Sequence, residues 1–133
     1  MFKKITVHTT KRDEVIDLTP EIISFTNESA VEEGMVVIYC PHTTAGITIN
    51  ENADPDVAAD VMRRLDELYP WNHTLDQHEE GNTAAHLKAS TVGSSQQVIL
   101  HKNRLLLGRW QGIQFYEFDG PRERQVFIKI VRS

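Results

Sequence analysis

Three histidines, His42, His78 and His86, carry the most far-reaching chemistry in this chain. Three neutral imidazoles with a water in the remaining position describe an open site for zinc or a related divalent metal. No short ligand pair such as His-x-x-x-His accompanies them, so the same residues also read as scattered surface or capping groups. His73 lies in the loop with His78 and is either a substitute ligand or part of a solvent-facing turn. Cys40 stands two residues before His42, which raises a Cys/His metal or nucleophile pair. A lone cysteine ending an apolar strand is more often a small core hydrophobe, and that reading is favoured. His8, between polar neighbours, reads as a solvated surface group.

Around His42 the segment from Cys40 to Asp60 collects Thr43, Thr44, Thr48, Glu51, Asp54 and Gly46, the last of which lets backbone approach a ligand closely. Alternation puts Glu51 on the same face as Ile47 and Ile49, and a carboxylate continuing an apolar face calls for a partner. A second constellation is Leu107-Gly108-Arg109-Trp110-Gln111-Gly112 together with Asp119-Gly120-Pro121-Arg122-Glu123-Arg124. Glycines permit close approach there, and a guanidinium fork matches phosphate oxygens. The alternative is a structural tryptophan with an Asp119–Arg122 turn pair. Asp56 and Asp60, one turn apart, suit a wet helix face.

These groups need elements to hold them. Met35 to Tyr39 is a continuous apolar run, the pattern of a buried central strand, and it delivers His42 to its end. Lys3 to Thr9 alternates as a strand with one wet side, and Glu14 to Leu18 suits its hairpin partner. Thr19 then caps a helix with Pro20 at its first position, burying Ile22, Ile23 and Phe25. After a short strand, Ile47 to Asn50, Asp54 caps and Pro55 begins a helix with Val57, Val61, Leu65 and Leu68 on one stripe. Pro70 stops it, and Trp71 to Gly81 has no periodicity and reads as a lid or ligand-bearing loop. Asn82 opens a short helix, Thr83 to Ala89, closed by Gly93. Four strands follow: Gln97 to His101, Leu105 to Leu107, Gln114 to Phe118 and Val126 to Val131. Asn103 suits the tight turn of the first hairpin and Gly120-Pro121 the turn of the second.

The 133 residues fit one domain able to bury a core without staples. One cysteine excludes an internal disulfide framework, and no apolar run has leader or membrane-spanning character. A cytoplasmic protein with no membrane partner is expected. A net charge of −5 argues against a general nucleic-acid binder, though local arginines can still hold a small phosphate.

Five ordered motifs span nearly the whole chain: Pro41-His42-Thr43-Thr44-Ala45, Ile49-Asn50-Glu51-Asn52-Ala53-Asp54-Pro55, Gly81 to Ala89, Leu107 to Gly112, and Glu117-Phe118-Asp119-Gly120-Pro121-Arg122. Together they closely resemble the YjbQ family, also called the secondary thiamine-phosphate synthase family. Two positions depart from it: Asn103 stands where the family usually has glycine, and Arg109 where threonine is common. The resemblance implies a single α+β domain, residues 1–133, of antiparallel sheets packed with two to three helices and assembled as a homotrimer. It also implies a polar pocket near the subunit interface where His42, His78 and His86 gather, suited to a metal or an anion. The associated activity is a weak thiamine-phosphate synthase, joining hydroxymethylpyrimidine diphosphate to a thiazole phosphate with loss of pyrophosphate.

Two functional readings follow. In an enzyme, a divalent metal, zinc or else magnesium with a diphosphate substrate, sits on the three histidines and polarises a leaving-group oxygen. Arg122 or Arg124 neutralises negative charge, Glu51 accepts a proton, and Thr43, Thr44, Asn82, Trp110 and Gln111 contact the phosphorylated substrate. A metal-assisted hydrolase of a phosphorylated small molecule needs the same parts. In a non-catalytic metal- or metabolite-binding trimer, the motifs serve partly for subunit packing. A Glu51 turned away from the histidines and salt-bridged favours this second reading.

Overall fold

A computed structural model describes residues 1–133. Eight strands and three helices follow in the order β1 (Phe2–His8), β2 (Glu14–Asp17), α1 (Thr19–Ser29), β3 (Glu33–Tyr39), β4 (Ala45–Glu51), α2 (Pro55–Leu68), α3 (Thr83–Val92), β5 (Ser95–His101), β6 (Arg104–Leu105), β7 (Gln111–Glu117) and β8 (Glu123–Arg132). They form two antiparallel sheets, a larger one ordered β1-β8-β3-β5-β6 and a smaller one ordered β2-β7-β4. The α+β class expected from the sequence is the one observed.

Period-2 patterning builds the core between the sheets. Ile5, Val7, Val36, Ile38, Val98, Leu100, Val126, Ile128 and Ile130 line the inner face of the larger sheet and meet Ala45, Ile47, Ile113 and Phe115 of the smaller one. Leu18, Ile22, Phe25 and Val31 extend this core around α1. Each such side chain contributes about 1.5–3 kcal/mol on burial if large and aliphatic or aromatic. On the opposite face of the smaller sheet, Tyr116 and Phe118 pack with Ala85 and Ala89 of α3 and with half-buried Val61, Met62 and Leu65 of α2. The helices α2 and α3 therefore form a third layer.

β3 is the middle strand of the larger sheet, as its unbroken apolar run predicts. The β5–β6 hairpin turns through Lys102 and Asn103 with φ of 52° and 60°, the pair of positive values that a two-residue turn of this hand requires. Asn103 also donates Nδ2 to the carbonyls of Thr26 and Val31, tying the turn to the end of α1.

Several expectations are corrected. β2 pairs with β7 in the smaller sheet and not with β1, whose neighbour is β8. The two runs are neighbours in sequence and both suit strands, but closeness along the chain does not name the partner. Gly120-Pro121 likewise carries the chain from one sheet to the other. Thr19 does not cap α1; its hydroxyl accepts the Ile113 N–H, 2.8 Å away. Ile23 is exposed, and Thr26 takes its place in the core. Gly46 serves packing: a Cβ there would stand 2.7 Å from the Gly93 carbonyl oxygen, which accepts the neighbouring Ile47 N–H. The stripe on α2 is at most half-buried, and Leu68 is 64% exposed. Asp54 caps α2 as expected, its Oδ1 accepting the Asp56 N–H at 2.9 Å.

Candidate functional site

The smaller sheet has two ends, and the residues singled out from the sequence divide between them. Ala45 pairs with Glu117 at one end and Glu51 with Gln111 at the other. Six steps of strand separate these pairs, roughly 20 Å at ~3.4 Å per residue.

At the Ala45 end, β7 and β8 bring Glu117 and Arg124 together, with Glu117 fully buried and Arg124 3% exposed. Arg124 Nε donates to Glu117 Oε2 at 2.7 Å, and its Nη2 donates to Glu117 Oε1 and to Thr44 Oγ1. The Asp119 N–H and the Thr9 hydroxyl complete the carboxylate's shell. Burial alone would push the Glu117 carboxyl up, but these donors hold it below the ordinary range. Arg124, expected to bind an anion, is thus committed to an internal partner. Thr44 is buried in the same network, while Thr43 is exposed.

His42 accepts the Gln125 N–H at Nε2, 2.9 Å away. In the neutral ring the proton then sits on Nδ1. Burial, together with the nearby Arg124 charge, holds His42 below the usual imidazole range. Within a single chain this bond occupies the Nε2 lone pair, and His42 presents its Nδ1–H to the surroundings.

Arg122 is half-exposed beside them. Its Nε donates to the Asp119 carbonyl and its Nη2 to Asp119 Oδ2, at 2.9 and 3.1 Å, leaving Nη1 uncommitted. Asp119 Oδ2 also accepts Asn82 Nδ2 at 2.8 Å. Asn82 is 7% exposed, and its Oδ1 is buried without a partner. One turn further along α3 lies His86, whose ring meets His78 edge-on with centroids 5.4 Å apart. Helix and loop do bring these two imidazoles together. His73 Nδ1 instead accepts the Leu75 N–H in its own turn, and Cys40 is a buried core thiol, pushed up by burial.

At the far end, Glu51 Oε2 accepts the N–H groups of Ala53 and Asp54, which shapes the turn into α2. Its partners are backbone N–H groups, and within one chain it stands at the end of β4 opposite Ala45. Trp110 is 54% exposed with the Arg109 guanidinium 4.7 Å above its ring, and Gln111 Oε1 accepts the Gly108 N–H. Neither reaches the histidine end.

No three His, Cys, Asp or Glu side chains converge on one point. A resident zinc held by three histidines therefore does not fit a single chain: His78 and His86 supply two donors, and the third expected one is bonded elsewhere. Sequence reasoning missed Thr9 and Glu117, which build the Arg124 setting, and Lys88. The only available signal was a lysine on the inward side of a short apolar helix. Lys88 is fully buried, with Nζ 2.7 Å from Asp66 and 3.4 Å from Asp13.

Residues 3–133 match the family described as "UPF0047 protein YjbQ-like". The chain belongs to this family. UPF0047 protein YugU of Bacillus subtilis is 62% identical over 131 residues, covering 98% of this chain and 99% of that one. A UPF0047 protein of Methanocaldococcus jannaschii is 54% identical over 133 residues, 98% of this chain and 94% of its own. Among solved structures, a YjbQ/UPF0047 protein of Clostridium acetobutylicum superposes with a TM-score of 0.94 at 52% identity, covering 97% of this chain and 99% of that one. A YbjQ-like protein of unknown function from Sulfolobus solfataricus gives a TM-score of 0.95 at 27% identity, over 100% and 97% of the two chains. The fold persists while about three residues in four differ. These names give the family and no activity.

Proposed function

We propose that this YjbQ-family protein binds a small phosphorylated metabolite at the His42 end of the smaller sheet and acts on it as an enzyme. The activity that the family resemblance implies, a weak thiamine-phosphate synthase releasing pyrophosphate, is the reaction to test. The observation that carries the reading is the pairing of a half-exposed Arg122, with Nη1 uncommitted, and a neutral His42 whose free ring nitrogen bears a proton. A fixed cation beside a neutral donor suits phosphate oxygens, and in a partly dry setting both strengthen on a leaving pyrophosphate.

A divalent metal, zinc or magnesium, would take His78 and His86 and complete its shell from substrate oxygens or another subunit, supplying Lewis acidity there. Assembly as a homotrimer is part of the proposal. Its support is the outer face of the larger sheet, where Phe2, Tyr39, Ile99 and Val131 are all exposed and Met35 pairs with both Ile99 and Val131.

A second reading, a non-catalytic metabolite-binding trimer, is favoured by one observation: Glu51 is spent on backbone and leaves the histidine end without that carboxylate as base. Turnover of hydroxymethylpyrimidine diphosphate and thiazole phosphate by the protein and by Arg122→Ala decides between them. Product formed by the protein, with a loss of 10²-fold or more in the variant, supports the enzyme. Pyrophosphate binding without product in either protein supports the binding module.

A further inference from the structure

We infer a second binding site, for an organic cation carrying two or more amino groups, in the cleft between β2, the turn after β4, and α2. The cleft holds about 650 Å³, within the range of small-molecule sites, and runs along β2 from the Glu51 turn towards Glu14, which pairs with Glu117; no histidine lines it. Its walls carry six carboxylates, from Asp13, Glu14, Asp17, Glu51, Asp54 and Asp66, against Lys11 and Arg63.

Not all of that charge is available. Asp13 and Asp66 are held by Lys88 and Arg12, and Arg63 is drawn to Asp60 and Glu67 on the outer face of α2. Glu14, Asp17, Glu51 and Asp54 remain. Each accepts hydrogen bonds from neighbouring backbone N–H groups, which orient the carboxylates without neutralising them. Lys11 is the one lining cation with no carboxylate within ion-pair distance. The cleft therefore keeps an excess of negative charge.

The floor supplies the independent observation. Gln114 lines the cleft and is 2% exposed. Its Nε2 donates to the Glu51 carbonyl and to Asn52 Oδ1, both at 3.1 Å. A backbone carbonyl only accepts, so this pair of bonds fixes which end of the amide is nitrogen. The other end, Oε1, is buried with no partner. An amide oxygen is satisfied only by a donor or a cation, and leaving it bare in a buried place is costly. Gly112 lets this arrangement exist, since a Cβ there would come within 2.5 Å of the Asn52 side chain that Gln114 holds.

The form of the cation follows from the spacing. No three carboxylates meet at a point, so a compact divalent ion finds no ready set of ligands. Charges spread around the cleft suit a flexible chain with an ammonium at each end, one lying over the Gln114 floor and the other at the carboxylates on the rim.

The test is isothermal titration of the intact protein with putrescine and with spermidine at low salt, with magnesium chloride and n-butylamine as comparison probes. Side-chain amide NMR signals are followed in parallel. Saturable diamine binding, at least tenfold tighter than butylamine and moving the Gln114 NH₂ signals, is expected. Glu14→Gln combined with Asp17→Asn keeps a side-chain oxygen to accept the Thr10 and Thr19 N–H groups and should weaken binding at least tenfold, whereas Arg122→Ala should leave it unchanged. No saturable diamine binding, tighter binding of magnesium than of diamine, or diamine binding indifferent to the paired variant would each overturn the inference.

Discussion

Arg124 and Glu117 face each other across the β7–β8 connection with neither side chain in contact with bulk water, and every donor around the carboxylate comes from the chain itself. Such a pair is costly to break because its partner is left charged and dry. Glu117→Gln or Arg124→Met should each lower unfolding free energy by about 3–5 kcal/mol, measured by urea denaturation. A loss below about 1 kcal/mol in both would mean that the pair is open to water in solution.

Acid should weaken the fold in two steps. His42 is held below its ordinary value, so under about pH 6.5 the unfolded chain takes a proton that the folded chain refuses. Stability therefore falls as pH drops through that region towards the lowered folded value, and His42→Gln should flatten this first decline. Glu117 is depressed as a carboxylate, so its contribution is complete above about pH 4.3 and is lost as pH falls through the folded value below that. Urea midpoints at half-unit pH intervals check both windows. A stability that rises between pH 6.5 and 5 would contradict the first.

Asn103 does two jobs where glycine would do one. Asn103→Gly keeps the positive φ at no cost but removes the bonds to the Thr26 and Val31 carbonyls, so a net loss of roughly 1–2 kcal/mol is expected. Equal or greater stability of the glycine variant in thermal unfolding would show that those bonds contribute nothing.

The two edge-to-face imidazoles make a distinct claim about metals. Zinc uptake, followed by equilibrium dialysis, should weaken at least tenfold in His78→Ala and in His86→Ala and remain unchanged in His42→Ala. Loss of uptake in the His42 variant would restore the three-histidine site.

What the sequence disclosed, and what it hid, divides along physical lines. Strands β1, β3 and β8, the cap at Asp54 and the turn at Asn103 were readable because period, capping chemistry and positive φ are local properties. The pairing of β2 with β7 was not, because it joins Glu14 to Glu117 across a hundred residues. The candidate site suffered in the same way. Asn82 and Arg122 meet at Asp119, whereas Glu51 and Trp110 stand at the other end of the smaller sheet. The commitment of Arg124 to Glu117 depends on a strand crossing between sheets, which no spacing in the sequence reveals.

The most direct test of the central claim is calorimetric titration of the protein with pyrophosphate, repeated on Arg122→Ala and on Trp110→Ala. If the anion site lies at the His42 end, Arg122→Ala should weaken binding at least tenfold, the scale of ~1.5–3 kcal/mol for a hydrogen bond to a charged group, while Trp110→Ala leaves it unchanged. Pyrophosphate affinity that survives Arg122→Ala and falls in Trp110→Ala would place the anion at the opposite end of the sheet and contradict the account.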